Sequence, residues 1–154
     1  MCLLAIMSNL FGCTKSPDKS KHHEPSDLTV ISISCCHMDF SYGYSFTLSK
    51  ESGVWRFNAE CFTHEHEQQT NFENRAVSDE DIAEMLDIIE RNGTIQYAEN
   101  FKKPKKPLFE VMDQTTYSLY IRFSDGSDYN ADLTSRHDSE LENYFYRLAE
   151  KLTA

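Results

Sequence analysis

The segment that most constrains the fold is residues 115–133, with the sequence TTYSLYIRFSDGSDYNADL. Apolar and polar residues alternate through its first half and place Leu119 and Ile121 on one face, which is typical of a strand buried on one side. The dipeptide Asp125-Gly126 is typical of a tight turn between strands. The segment therefore predicts a β-hairpin.

The side-chain pattern also predicts the length of the hairpin loop. A two-residue loop would place Ile121 opposite Asn130, which sets an apolar residue beside a polar one on the buried face. A three-residue loop, residues 124–126, pairs Ile121 with Tyr129 instead. We expect this loop, with Gly126 in the left-handed region where glycine has no Cβ to clash.

The same register predicts a binding surface on the outer face of the hairpin. It sets Arg122 opposite Asp128, a favourable cross-strand pair, and places Tyr120 beside them. Exposed tyrosine and arginine are typical of binding surfaces, although scattered surface tyrosines explain the pattern about equally well. Tyr120 and Arg122 are therefore candidate binding residues.

Length and charge exclude some classes of function. The chain has 154 residues, which fits one domain with a core of ordinary size. Its formal net charge is −10. Nucleic-acid binding requires a basic face that neutralises phosphates, so we expect no nucleic-acid partner.

The N-terminal residues predict an export signal. Residues 1–11 read MCLLAIMSNLF, an apolar run too short to span a bilayer as a helix. An apolar run followed by a small residue and a cysteine resembles the signal of a bacterial lipoprotein, in which the cysteine becomes the lipidated first residue of the mature protein. Leu10, Gly12 and Cys13 match this lipobox, whereas Phe11 stands where a small residue is usual and no positive charge precedes the cysteine.

The resemblance to a lipoprotein signal implies three parts of the chain. Residues 1–13 are the signal, residues 14–27 are a polar tether that buries nothing, and residues 28–154 are a single domain. It also implies attachment to a membrane through a lipid on Cys13 and an extracytoplasmic location in the cell envelope. The alternative is a buried or frayed N-terminal helix of a cytosolic protein, which leaves the polar stretch unexplained.

A second aromatic hairpin precedes the first along the chain. A four-residue loop, residues 50–53, pairs Leu48 with Trp55 and Phe46 with Phe57. Each of these pairs is apolar on both sides, which favours this register.

Two amphipathic helices complete the prediction. Ser78 is a good N-cap for the first helix and Gly93 a good stop, while the second runs over residues 138–152. With a first strand at residues 28–36, the predicted fold is α+β: an antiparallel sheet of about five strands built from two aromatic hairpins, with two amphipathic helices packed on one face. The pattern resembles small bacterial lipoproteins of unknown function, which implies no particular activity and no site residues.

His64-Glu65-His66 is the clearest candidate for a metal site. Two histidines at i and i+2 can chelate one ion, but a specific site needs a third ligand, and solvated residues at a strand edge are the competing explanation. His64 and His66 are therefore the metal candidates, and His137 joins them as a suspect if the protein is an enzyme.

The one basic cluster of this acidic chain contains Lys102, Lys103, Lys105 and Lys106. Interleaved prolines hold it extended, so the lysines are candidates for contact with anionic cell-wall polymer or lipid headgroups. A solvated loop is the alternative.

The cysteines leave one question open. A disulfide between Cys61 and either Cys35 or Cys36 is possible, and buried free thiols are the alternative.

The sequence contains no GxSxG elbow, no glycine-rich phosphate loop and no CxxC pair. We therefore expect a non-enzymatic binding or accessory lipoprotein without a cofactor, with an envelope polymer or another envelope protein as its partner beside the membrane. The alternative is a metal-dependent enzyme or metal-binding protein that uses His64 and His66.

Overall fold

The computed structural model describes residues 22–37, 42–63, 71–102, 115–134, 136 and 138–153. After a short 3-10 helix (Pro25–Asp27), the elements in chain order are β1 (Leu28–Cys36), β2 (Tyr42–Glu51), β3 (Val54–Thr63), β4 (Asn71–Ala76), α1 (Asp79–Asn92), α2 (Thr94–Asn100), β5 (Thr116–Phe123), β6 (Asp128–Asp132) and α3 (Ser139–Thr153).

The described strands form one antiparallel sheet in the order β4-β3-β2-β1-β5-β6. The predicted α+β class is confirmed, but the sheet has six strands in the described part of the chain rather than about five. The additional strand, β4, has the polar sequence NFENRA and lies at the edge of the sheet. An edge strand need not bury a continuous apolar face, so its sequence resembles that of a loop.

The hairpin of β5 and β6 has the predicted register. Ile121 pairs with Tyr129, and the Phe123 N–H donates to the Ser127 carbonyl over 2.9 Å, which closes a three-residue loop. Gly126 has a φ of 87°, in the left-handed region as expected.

The predicted register of β2 and β3 is wrong by two residues. Phe46 pairs with Ala59 rather than with Phe57. The loop contains only Ser52 and Gly53, whose φ angles of 50° and 84° give a mirror-image turn that fits the twist of a hairpin. A shift of two residues keeps every side chain on its own face, so the apolar pattern cannot separate the two registers.

Both predicted helices are present, as α1 and α3. The Asp81 N–H donates to the Ser78 Oγ over 3.2 Å at the start of α1, and Gly93 ends this helix with a left-handed φ of 62°. The structure adds α2, which follows Gly93 directly and, with 7 residues, is too short to show helical periodicity. None of the described helices is long and apolar enough to cross a membrane.

The helices pack on one face of the sheet. The rings of Phe46, Phe57 and Phe145 are fully buried there, and the Phe145 centroid lies 5.9 Å from that of Phe46 and 5.8 Å from that of Phe57. Burial of one such side chain contributes roughly 1.5–3 kcal/mol. The opposite face, which we call the outer face, has no helix over it in the described ranges and carries half-buried and exposed side chains.

The folded domain begins before residue 28. The 3-10 helix Pro25–Asp27 contacts α1, and the Asp27 carbonyl accepts a hydrogen bond from the Ser124 N–H over 2.9 Å. His23 is only 5 % exposed. These contacts correct the predicted tether of residues 14–27, because its last residues belong to the fold.

The turn geometry predicts that Gly126→Val lowers the free energy of unfolding by about 1–2 kcal/mol, since a β-branched residue is forced into the left-handed region. Ser124→Val is the matched control, because Ser124 lies in the same turn without a positive φ. Urea denaturation measures both. Equal losses in the two variants would contradict the assigned turn.

Candidate functional site

The outer face of the sheet is lined with polar side chains in rows that run across the strands. The central row contains two amides, two hydroxyls and one tyrosine. The flanking rows are rich in serine and have charged residues at their ends. The three rows are Asn58–Thr47–Ser32–Tyr120–Asn130, Glu60–Ser45–Ser34–Ser118–Asp132 and Arg56–Ser49–Val30–Arg122–Asp128.

The structure brings the predicted hairpin residues together on this face. Arg122 lies opposite Asp128, as expected, with 3.7 Å between the Nη2 and Oδ2 atoms. The Tyr120 hydroxyl donates to the same Asp128 Oδ2 over 3.2 Å, and the Arg122 guanidinium lies 5.5 Å from the centre of the Tyr120 ring. The three side chains form one patch. Its role in binding stays a prediction.

A cleft of about 520 Å³ opens on the other side of the outer face, between β2, β3 and β4, with β1 separating it from the patch on β5 and β6. We call it the outer-face cleft; its polar lining residues are Ser45, Thr47, Asn58, Glu60, Asn71 and Glu73. Ala59 and Phe72 also border it, but they pair with each other on the helix-covered face, where the Phe72 ring lies 5.6 Å from that of Phe57.

An irregularity in β4 shapes this cleft. The register of β3 and β4 shifts between Phe57 and Ala59, and Asn74 has a left-handed φ of 60°. The Asn74 N–H donates to the Asn58 Oδ1 over 2.7 Å, and its carbonyl accepts from the Arg56 Nη1 over 3.3 Å. A bulge of this kind bends the edge strand and increases its local twist beside the cleft.

Lys102 lies on a different surface from the hairpin patch. It lines a second cleft, beside the ends of α1 and α2, together with Tyr97 and Arg136. The other predicted members of the basic cluster, Lys103, Lys105 and Lys106, lie outside the described residues. The same holds for Cys13, His64, His66 and His137. Within the described ranges, no group of three or more His, Cys, Asp or Glu side chains is arranged to hold a metal ion.

The described cysteines are free thiols. Tyr44 pairs with Cys61 on one side and with Cys35 on the other, so the two thiols lie two strands apart. Two strand spacings are roughly 9.6 Å, which exceeds the reach of a disulfide. Burial raises the pKa of Cys35 to about 11 and also raises that of Cys61, so neither thiol is an activated nucleophile.

A buried polar cluster around His23 was not predicted from the sequence. The His23 Nδ1 lies 2.7 Å from the Glu99 Oε1, and its Nε2 lies 3.1 Å from the Asp125 Oδ2 and 3.0 Å from the Ser127 Oγ. The imidazole also stacks on the Phe123 ring, with 4.0 Å between centroids. We call these four polar residues the His23 cluster. Its members come from three separate segments, the N-terminal segment, α2 and the β5–β6 turn, so no local motif signals it.

The His23 cluster has the distances of a Ser-His-carboxylate triad but not its chemistry. A carboxylate faces each ring nitrogen of His23 and favours the protonated ring, and a protonated imidazole cannot accept a proton from Ser127. The Ser127 Oγ donates to the Asp125 Oδ1 over 2.6 Å, and the Ser127 N–H donates to the same atom over 3.0 Å. Ser127 is 7 % exposed, which closes it to a substrate. The cluster is a structural clamp between the N-terminal segment, α2 and the β5–β6 turn.

Hydrogen bonds set the charges of this clamp. Burial alone lowers the pKa of His23, but hydrogen bonds to Glu99 and Asp125 outweigh it, and the pKa is raised from 6.5. Hydrogen bonds from the Ser127 side chain and backbone, followed by that from His23, hold the pKa of Asp125 well below its usual range.

Comparison with known proteins adds no constraint on function: the chain matches no protein-family model, no curated protein and no solved structure.

The raised pKa of His23 predicts a pH-dependent contribution to stability. The folded state holds the His23 proton more tightly than the unfolded chain, so this stabilisation is fully present below pH 6.5 and is lost as the pH rises through the raised pKa. The lowered pKa of Asp125 has its effect at acidic pH. The stabilisation that Asp125 contributes is present above pH 3.8 and is lost as the pH falls through the lowered pKa of the folded state.

We therefore expect His23→Gln to lower the free energy of unfolding by on the order of 2 kcal/mol near pH 6, with a smaller difference from wild type near about pH 9. Chemical denaturation across this range measures it. His22→Gln is the matched control, because the His22 side chain is 81 % exposed and lies 3.5 Å from the same Glu99. A difference that stays constant with pH would contradict a charged His23.

Proposed function

We propose that this protein is a non-enzymatic, lipid-anchored binding protein of the cell envelope, and that it holds a neutral, hydroxyl-rich glycan in the outer-face cleft. The observation that carries the proposal is the composition of that cleft. Its polar lining combines hydroxyl, amide and carboxylate groups on a face that the helices leave uncovered.

The polar groups of the cleft suit a ligand with many hydroxyls. The carboxylates of Glu60 and Glu73 accept hydrogen bonds from hydroxyl groups, and charge-assisted bonds of this kind are stronger than neutral ones. The amides of Asn58 and Asn71 both donate and accept. Two carboxylates without a lining cation among the described residues disfavour a polyanion.

The size of the outer-face cleft suits a small ligand such as an oligosaccharide. The cleft itself, at about 520 Å³, falls within the usual range for sites of small ligands.

The chemistry of the described side chains supports a non-enzymatic role. The hydroxyl of Ser127 is committed to Asp125, and burial raises the pKa values of the Cys35 and Cys61 thiols. These groups are the ordinary candidates for nucleophilic catalysis, and each is held in an unreactive state.

Attachment to the envelope is proposed from the residues Leu10, Gly12 and Cys13. We expect the protein to incorporate a fatty-acid analogue in a bacterial host, and Cys13→Ala to abolish the labelling and release the protein from membranes. Cys2→Ala is the matched control, because Cys2 lies in the same apolar run without a lipobox around it. Equal labelling of wild type and Cys13→Ala would exclude the lipid anchor.

Glycan binding is tested by titrating a panel of neutral oligosaccharides into the purified full-length protein and measuring heat. We expect saturable binding of at least one oligosaccharide, weakened about tenfold by Glu60→Gln, because a charge-assisted hydrogen bond becomes a neutral one. Glu51→Gln is the matched control, since Glu51 is exposed on the same hairpin but outside the cleft.

Two results would contradict the proposed ligand. The first is the absence of saturable binding for every neutral oligosaccharide. The second is binding that Glu60→Gln and Glu51→Gln leave equally strong. Tight binding of a cationic peptide instead would indicate a positively charged ligand, for which the two carboxylates of the cleft are equally suited.

A further inference from the structure

A second cleft, on the helical side of the domain, has the opposite chemistry. Its volume is about 840 Å³, and it lies where α1 ends and α2 runs toward Lys102. Its lining includes the aromatic rings of Tyr97 and Phe101, the amide of Gln96 and the cationic groups of Arg136 and Lys102. We call it the α2 cleft.

Arg136 is fixed in place although it is exposed. Its Nη2 donates to the Asn92 carbonyl over 2.8 Å, and its guanidinium lies 4.8 Å from the centre of the Tyr97 ring. Tyr97 is itself held, because its hydroxyl donates to the Asp132 carbonyl over 2.5 Å. A guanidinium held on two sides loses little conformational entropy when it binds a ligand.

Capping of α1 uses only part of the Arg136 side chain. The bond to the Asn92 carbonyl occupies one of five N–H donors, and no acceptor among the described residues is bonded to the others. Arg136 therefore presents donors in a fixed fork toward the α2 cleft. A guanidinium fork suits two oxygens of one phosphate.

The charges around the α2 cleft favour an anion. Arg91 is occupied, because it pairs with Glu140 over 2.9 Å and with Asp87 over 3.4 Å. Lys102 and Arg136 carry no ion pair within the described part of the chain, and the one acidic residue in the lining is Glu90. The cleft thus has a net positive charge on a chain whose formal net charge is −10.

The acidic residues on the far side of Arg136 are already committed. Asp138 accepts hydrogen bonds from the Leu141 N–H and from the Asn92 side chain, both over 3.0 Å, at the start of α3. Glu140 pairs with Arg91. Neither carboxylate takes up the open donors of Arg136.

We infer that the α2 cleft binds a phosphate group, with Arg136 as the bidentate ligand and Lys102 as a second positive charge. The aromatic rings of Tyr97 and Phe101 contact the carbon atoms to which the phosphate is esterified. A phosphate ester of the cell envelope has two sources, a lipid headgroup or a phosphate-bearing polymer. The two envelope sources rest on the proposed location of the protein, whereas the phosphate site itself is independent of the proposed glycan site, because no residue lines both clefts.

The test is the binding of glycerol 3-phosphate to the purified full-length protein, measured calorimetrically at low ionic strength. We expect saturable binding that weakens with added salt and about tenfold in Arg136→Gln. Arg136→Lys keeps the charge and a donor for the Asn92 carbonyl but removes the fork, so we expect it to lose most of the affinity. Lys102→Gln, at an exposed position that takes no part in the packing, should weaken binding about threefold.

Arg56→Gln is the matched control, because Arg56 likewise makes one hydrogen bond to a backbone carbonyl, but on the outer face. It should bind glycerol 3-phosphate as tightly as wild type. Glu60→Gln should also leave phosphate binding unchanged, which separates a failure of this inference from a failure of the glycan site.

Vesicles distinguish the two sources of phosphate. Sedimentation with phosphatidylglycerol vesicles, but not with phosphatidylcholine vesicles, that is lost in Arg136→Gln assigns a lipid headgroup. Binding of the soluble ester without vesicle binding assigns a non-lipid phosphate. The inference is overturned if wild type shows no saturable binding of glycerol 3-phosphate, or if Arg136→Gln and Lys102→Gln bind it as well as Arg56→Gln.

Discussion

Burial of one face of the sheet is the constraint on which the rest of this structure depends. Alternate residues of the strands point toward a single layer of helices, where Phe46, Phe57 and Phe145 pack ring against ring. The residues between them must then face water, because no helix in the described ranges covers the opposite side. That side is rich in hydroxyl groups, and the Thr47 hydroxyl of β2 donates to the Ser32 Oγ of the neighbouring strand β1 over 2.9 Å. A solvated face of this kind leaves polar groups accessible to a ligand without cost to the core.

The His23 cluster completes the fold in a different way. It joins residues separated by 76 and 102 positions along the chain and closes the N-terminal segment over α2 and the β5–β6 turn. A buried histidine between carboxylates would be costly without hydrogen bonds, but every polar atom of the cluster has a partner. The hydrogen bonds that satisfy these groups also make them unavailable for catalysis, because Ser127 and His23 each donate to Asp125.

Both clefts lie where regular structure is interrupted. Asn74, with a φ of 60°, distorts the edge strand beside the outer-face cleft, and Gly93, with a φ of 62°, ends α1 beside the α2 cleft. The two clefts differ in charge, since carboxylates line the first and a guanidinium lines the second. An acidic domain can therefore present one surface to hydroxyl-rich ligands and another to anions.

The sequence by itself determined what depends on neighbouring residues. Alternation and a glycine in the left-handed region specify the β5–β6 hairpin, including Arg122 opposite Asp128. The Ser78 cap and the Gly93 stop specify α1. For the candidate sites, the sequence identified Tyr120, Arg122 and Lys102 as polar or basic surface residues, but it identified neither of the two clefts.

Only the tertiary structure decided the features that depend on distant contacts. The pairing of Phe46 with Ala59 differs from the predicted pairing by two residues, and a two-residue shift leaves the pattern of buried residues unchanged. The edge strand β4 and the short helix α2 carry too little periodicity to be predicted. His23 lies in a polar stretch whose sequence predicts a tether, and Arg136 lies in a loop. Their positions follow from partners far along the chain, which is why local sequence carries no signal for either.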